Sequence, residues 1–531
     1  MNMYFRHPPR WVALFGLALL ASCATFDPPG RGVDELPVPE SYTLYGPSAP
    51  APEKWWEGFD SEELNRLVAE ALNDSFTLEQ AVARIRQAWA AAKQVGALRW
   101  PEVGYAGDAS TTRTHIDTGV STSTLSVASQ KLSALNALLG GGSPGSGVAT
   151  TPAGAAAAAL QSAQSRLQGA KTLLADTPPS ETTTRNESYL LGLSASYELD
   201  LWGRLRASDR SAQLSFEATR EDLYTAMQTL TAQVVLTWLD ILQYQQVIEV
   251  LRQQLEANQT TLELVELRYR KGRATALDVY QQRQAVAQTQ AMRPPLEAQL
   301  DTLLHELAVF LGKPPRTDLK LTADVFPETG PLPDQGLPAD LLARRPDVRA
   351  AGLRLRAADW QVSAARADRL PAIRLTASAS YNAAEWDLLF DNWMAKLAAS
   401  ITGPIFDAGR RKAEVERTRA VVDERLAAYK QAVVTAAREV EDALVREAKQ
   451  REYVDALQYQ LETARASHRE ALARYQKGLN DYLPVLSALT YAQSLERGLV
   501  QAEHDLLVYR TQLHLALGGR WMERELGALE E

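Results

Sequence analysis

The chain has almost no cysteine: Cys23 is alone among 531 residues. A single thiol excludes an internal disulfide framework and any multi-cysteine metal site. Positive charge is not in excess either. Lys and Arg number 56 against 65 Asp and Glu, a net charge of -9, so the basic patch expected of a nucleic-acid binder has no basis in the composition. The mild acidity argues for solubility. After the N-terminal segment there is no apolar run of about 18 residues, so no transmembrane helix is expected. Methionine and histidine are scarce at six each, and His7, His115, His305, His468, His504 and His514 have no ligand spacing. A soft-metal exporter would want clusters of such residues. His305 and His514 lie among helical apolar positions and read as structural. No phosphate loop, metal motif or nucleophile constellation is found. The chain therefore reads as not an enzyme, with no catalytic residue, no metal site and no cofactor.

Two long stretches also lack proline and glycine: the interiors between Gly203 and Gly272 and between Gly409 and Gly478 contain neither. Leu223, Ala226, Leu230, Val234, Trp238, Ile241, Ile248, Leu255, Leu262 and Val265 mark a 3–4 spacing in the first, the seam of a coiled-coil-like helix. At 1.5 Å per residue each such helix is roughly 100 Å long, against a globular mean of about 11 to 12 residues.

The N-terminus reads as a secretory signal. Arg6 and Arg10 precede an apolar segment, Trp11 to Leu20, too short to span a bilayer. The tetrad Leu20-Ala21-Ser22-Cys23 resembles the bacterial lipobox, which implies cleavage after residue 22 and acylation of Cys23. Acyl chains anchor strongly, at about 0.8 kcal/mol per buried CH₂. Ala24, by the same resemblance, directs the protein to the outer membrane. Residues 23–60 are Pro-rich and read as an extended tether.

Helical periodicity starts near Ser61, with Glu62 and Glu63 in its first turn, and runs to about Arg99 before Trp100-Pro101. Strand alternation follows at three places: Tyr189–Asp200, Ile373–Asn382 and Trp393–Thr402. A weaker fourth runs from Pro101 through Val103 and Tyr105. The three clear strands have about the 9 to 11 residues of a transmembrane strand, with aromatics near the ends.

The chain is a tandem repeat. Ala97–Pro101 matches Ala367–Pro371, Gly203-Arg204 matches Gly409-Arg410, and Arg268-Tyr269-Arg270-Lys271-Gly272 matches Arg474-Tyr475-Gln476-Lys477-Gly478. The first repeat covers 61–312 and the second 337–519, with a Pro- and Gly-rich linker at 313–336 and a tail at 520–531. The first carries a surplus at about 111–184, rich in Gly, Ser, Thr and Ala, with an Ala-rich stretch from Ala155 to Ala175 that suits a helix. A long extracellular loop and a disordered segment are equally compatible with its composition.

Two repeats give four strands, too few to close a barrel, and an open edge in lipid leaves N–H and C=O groups without partners. Two copies would give eight strands with a filled interior; three would give twelve, with room for a pore. The fold class is thus mixed and mainly α. Three copies would form a 12-stranded β-barrel continuous with a helical barrel, which a family resemblance then places in the periplasm.

The chain resembles the TolC-like outer-membrane efflux channels, in their lipoprotein branch serving resistance–nodulation–division pumps. The resemblance rests on Trp55-Trp56-x-x-Phe59 with Leu64-Asn65, Tyr197–Arg204, Arg344-Arg345-Pro346-Asp347-Val348, Pro404-Ile405-Phe406-Asp407-x-Gly409 and Leu517-Gly518-Gly519, in order along nearly the whole chain. It implies a homotrimeric exit duct for drugs or other small toxic compounds, working with a periplasmic adaptor and an inner-membrane pump. By the same resemblance the turns at Arg268, Lys271, Gly272 and at Arg474, Lys477, Gly478 are periplasmic tips that dock the adaptor. Asp278 and Tyr475 match aperture positions, whereas Asn480, Ser487 and Thr490 stand where relatives can have charged gate residues. Other readings are a periplasmic coiled-coil scaffold lipoprotein, or the same channel exporting proteins or metal ions.

Overall fold

The computed structural model describes residues 26–28, 42, 48–49, 54–117, 122–138, 152–175, 181–333 and 338–530. The signal segment, Cys23 and most of the 23–60 tether lie outside the described residues. The chain divides into two compact units.

The larger unit is helical. Ser61 does cap the first helix, its side chain accepting from the Leu64 N–H at 3.2 Å. The periodic stretch beyond it is two helices rather than one, α1 (Glu62–Asp74) and α2 (Phe76–Ala97), broken at Ser75. Ser75 adopts an extended conformation and its hydroxyl accepts from Thr77 N–H, because a short polar side chain competes with the helix for backbone donors. The two long helices are α5 (Arg204–Arg270) and α8 (Arg410–Gln476), each 67 residues; the returning helices α6 (Ala276–Phe310) and α9 (Leu483–Leu517) have 35 each. The second repeat opens on α7 (Pro346–Ala367), the counterpart of α2, and α10 (Trp521–Glu530) follows α9. No described helix is long and apolar enough to cross a membrane.

Several of the sequence motifs are junctions in this unit. Asp200 accepts from the N–H groups of Leu205 and Arg206 at 3.0 and 2.7 Å, capping α5; Asp407 accepts from Gly409 and Arg411 at 3.0 and 3.3 Å, capping α8. Arg345 spans from Asp347 (2.7 Å) to Glu439 (2.6 Å), tying the start of α7 to α8. Gly518 lies against this junction, where a Cβ would stand 2.8 Å from the Arg344 carbonyl oxygen, so no larger residue fits. Trp55, Trp56 and Phe59 are buried, Trp55 stacking on His514 and Trp56 meeting Trp521 edge-on. Burial, assisted by Arg510, pulls the His514 imidazole down to about 3, so it is neutral. The main apolar core joins α1, α2, the middle of α5 and the end of α6 through Leu67, Leu230, Trp238, Ile241 and Leu307.

The smaller unit holds a four-stranded sheet of β1 (Glu102–Asp117), β2 (Glu181–Leu199), β3 (Ala372–Ala383) and β4 (Trp393–Thr402), paired in that order. β1 and β2 are antiparallel, from Glu102 opposite Ser196 to Asp117 opposite Glu181. The strand with the weakest signal is thus 16 residues long. Gly104, Ala106, Gly107 and Ala109 dilute its alternation, since small residues carry little hydrophobic contrast. The 111–184 surplus is structured where it is described: strands extend into it from both ends, and between them stand α3 (Thr122–Leu138) and α4 (Pro152–Ala175), which pack on each other. The sheet exposes large apolar side chains, among them Tyr105 (86%), Leu397 (84%), Trp393 (72%) and Ile401 (69%). A sheet facing water would bury such a set.

Candidate functional site at the paired helix turns

The two helix-to-helix turns close by the same geometry. After α5, Arg273 N–H donates to the Arg268 carbonyl at 2.8 Å and Gly272 N–H to Tyr269 at 2.9 Å. After α8, Leu479 N–H donates to Arg474 and Gly478 N–H to Tyr475, both at 2.9 Å. This paired bonding requires a left-handed residue just beyond the helix. Gly272 and Gly478 supply it, with φ of 65° and 74°. A Cβ at either would meet nothing within 4 Å, so the glycines are demanded by backbone conformation rather than by space.

The turns then touch. The Arg268 guanidinium lies 4.3 Å above the Tyr475 ring centroid, and its Nη1 donates to the Gln476 carbonyl at 3.1 Å. Tyr475 packs on Tyr482 with ring centroids 5.4 Å apart. Val265, Val279 and Val485 complete a small core around the two rings. Tyr475 is 3% exposed and Tyr482 1%. Burial pushes both phenols upward, Tyr482 further, so both stay protonated. The Tyr482 hydroxyl donates to Gln282 Oε1, whereas among the described residues no hydrogen bond of good geometry reaches the Tyr475 hydroxyl.

Of the residues singled out in the sequence, Arg268 and Tyr475 are brought together. Asp278 is near, its charge helping to raise both phenols, but its carboxylate is engaged locally. It accepts from Thr275 N–H at 2.8 Å while Thr275 Oγ1 accepts from Asp278 N–H, a capping box at the start of α6. Arg474 pairs with Glu470 at 2.7 Å on the surface, and Lys271 and Lys477 are exposed. Asn480 donates weakly to the Ala471 carbonyl, at 3.5 Å, and the Thr490 hydroxyl turns back to the Leu486 carbonyl at 3.0 Å.

Sequence reasoning missed two features. One is an apolar set exposed around the turns: Leu479 (72%), Tyr280 (67%), Leu277 (64%) and Leu483 (58%). The other is a buried polar seam above them. Gln282 donates to the Asn258 carbonyl (2.6 Å), Asn258 to Thr289 Oγ1 (2.9 Å), Gln493 to Asn258 Oδ1 (3.0 Å) and Gln254 to the Gln493 carbonyl (3.0 Å). The seam joins α5 and α6 of the first repeat to α9 of the second. Its only sequence signal is amide side chains at helical spacing on an otherwise apolar face.

Comparison with known proteins agrees with this architecture. The outer membrane efflux protein family matches residues 157–313 and 337–519. The chain is 31% identical over 517 residues to the pyoverdine export outer membrane protein OpmQ of Pseudomonas putida, covering 97% of this chain and 98% of that one. It is 32% identical over 351 residues to the toluene efflux pump outer membrane protein TtgF of Pseudomonas putida, covering 66% of this chain and 73% of that one. Among solved structures, the outer-membrane channel OprN superposes with a TM-score of 0.76 at 27% identity, covering 93% of this chain and 99% of that one. The Campylobacter jejuni CmeC channel shares the fold, with a TM-score of 0.75 at 18% identity over 94% of this chain and 97% of that one. The chain belongs to the outer membrane efflux protein family and is a non-enzymatic channel component of the outer membrane.

Proposed function

We propose that this chain forms, as a homotrimer, the exit duct of a tripartite efflux system. Four strands from each of three copies would close a twelve-stranded barrel in the outer membrane. Lipid on Cys23 would anchor each copy, and the helices would reach through the periplasm. The turns at Gly272 and Gly478 would meet a periplasmic adaptor, itself joined to an inner-membrane pump. The observation that carries this reading is the sheet: four strands, two edges without a partner among the described residues, and large apolar side chains left uncovered. Unpaired edges in hydrocarbon are excluded, so other copies must supply the missing neighbours. Relatives named for pyoverdine export and toluene efflux favour small organic cargo.

At the turns, exposed Leu277, Tyr280, Leu479 and Leu483 beside Lys271 and Lys477 suit adaptor docking, since apolar contact with a cationic rim gives both affinity and steering. Arg268 and Tyr475 fix one turn to the other, so loosening them should widen the aperture. The test is single-channel conductance of the lipidated protein in a planar bilayer. Wild type would be compared with Arg268→Ala and with Asp278→Ala/Tyr475→Phe. A discrete pore with raised conductance in Arg268→Ala supports a duct gated at the turns. A pore unchanged in both variants removes the gate from this site, and absence of any pore overturns the duct.

A further inference from the structure

The β1–β2 hairpin carries an element that no other described element of its own chain covers extensively. Its strands have 16 and 19 residues against 12 and 10 for β3 and β4, and pairing continues to Asp117 opposite Glu181. Beyond Ser110 and Ser188 the ribbon turns polar: Thr111-Thr112-Arg113-Thr114-His115 runs opposite Thr183-Thr184-Arg185-Asn186-Glu187. The added rungs, Thr111 to Asp117, extend it by roughly 24 Å at about 3.4 Å per residue. The change in composition marks where the ribbon leaves the apolar layer that suits Val103, Tyr105, Leu191 and Leu193.

At the far end of the ribbon stand α3 and α4. They pack on each other and, among the described residues, make no extended contact with another element. No residue of either helix whose exposure is described is buried; Val127 is 49% exposed and Leu135 51%. Helices that face water in this protein carry ion pairs such as Arg417–Glu414 and Lys449–Glu452. By contrast, no Asp or Glu occurs from Thr118 to Ala175, and the charged residues there are Lys131, Arg166 and Lys171. Most helical stability in a protein comes from burying an amphipathic face rather than from propensity.

We infer that the α3–α4 hairpins of neighbouring copies dock against one another, so that a second copy of this chain covers them. The inference rests on the oligomeric channel proposed above. Its support is spacing. With strands about 4.8 Å apart and tilted by about 40°, equivalent points on adjacent four-stranded copies of a twelve-stranded barrel lie roughly 21 Å apart in a straight line. Two helices side by side, each about 10 to 12 Å across, span that distance. A hairpin rooted in the sheet is therefore delivered within reach of its neighbour wherever the sheet edges join.

The test uses Ser133→Cys/Ser165→Cys, exposed positions on α3 and α4, in a protein whose one native thiol is Cys23. A short bismaleimide is applied to the assembled protein in outer-membrane vesicles, and native mass spectrometry is run on the same preparation. Expected are covalent dimers and trimers on a denaturing gel, lost when Leu135→Glu or, separately, Val127→Glu is added while the native mass is unchanged. An oligomeric native mass with adducts confined to single chains overturns the hairpin contact and leaves the channel standing. A single-copy native mass overturns the channel reading itself.

Discussion

The long and returning helices of the two repeats have equal lengths and different interiors. With the offset of 206 residues that relates Gly272 to Gly478, Val279 corresponds to Val485, Leu307 to Leu513 and Leu311 to Leu517, all buried. On the same scale Ile241 and Leu304 of the first repeat, both part of its apolar core, become Glu447 and Arg510 in the second. That pair is 1% and 4% exposed. The Arg510 Nε donates to both carboxylate oxygens at 3.1 Å, and its Nη1 donates to the linker carbonyls of Gly330 and Pro331 at 2.8 and 2.9 Å. The repeats also part at the turns: Tyr269 is 49% exposed and its counterpart Tyr475 3%. A duplicated backbone thus tolerates an apolar interior on one side and an ionic one on the other. The ionic side gains a use for its buried charge, which fastens the inter-repeat linker.

The sharpest way to break this comparison is Arg510→Leu. It leaves Glu447 buried, with Arg451 as its remaining partner, itself 45% exposed. A loss of about 3–5 kcal/mol is expected, read as a lowered melting temperature. Adding Glu447→Ile recreates the first repeat's pair and should recover most of the loss, with a residual deficit from the two linker carbonyls. An unchanged melt in the single variant would refute the role of the pair.

Next in size is the polar seam. Asn258 corresponds to Ala464, so Asn258→Ala moves the first repeat toward the second. It strips partners from Thr289 and Gln493 and should cost about 1–3 kcal/mol in chemical denaturation. Amide exchange around residues 254–293 should quicken as the seam loosens. A variant as stable as wild type would reduce the seam to ordinary packing.

Smaller still, Gly272→Ala and Gly478→Ala should each cost about 1–2 kcal/mol, because only the left-handed backbone resists them. Unequal costs would show that contacts between the turns, not local geometry, dominate. The smallest effect is expected for the tyrosine pair. Tyr269→Phe and Tyr475→Phe should each shift stability by less than about 0.5 kcal/mol, the first hydroxyl being on an exposed residue and the second lacking a well-formed hydrogen bond. A large loss at Tyr475 would reveal a partner for its hydroxyl in the assembled channel.

Much of this was legible in the sequence because the signals are local. Long stretches without Pro or Gly, the repeated Arg-Tyr-x-Lys-Gly string and the helical spacing of Leu and Val state where helices run and turn. Asp200 and Asp407 stood in the sequence only as parts of family-like strings, and their capping of α5 and α8 is known from the structure. The break at Ser75 was not read, because one polar residue in a periodic stretch is as compatible with a helix surface as with a cap. Glu447 and Arg510 looked like the solvated charges that cover most of α8 and α9. Nothing adjacent in the chain distinguishes them, as they lie 63 residues apart.

The sequence by itself determined the repeat, the helix lengths, the four alternating strands and the glycine turns, because propensity, capping and periodicity are set by near neighbours. Only the tertiary structure decided which charges are buried, which of two identical tyrosines is enclosed and which side chains of the sheet remain uncovered. Burial is a property of what folds across a residue, and that is fixed by contacts distant in sequence.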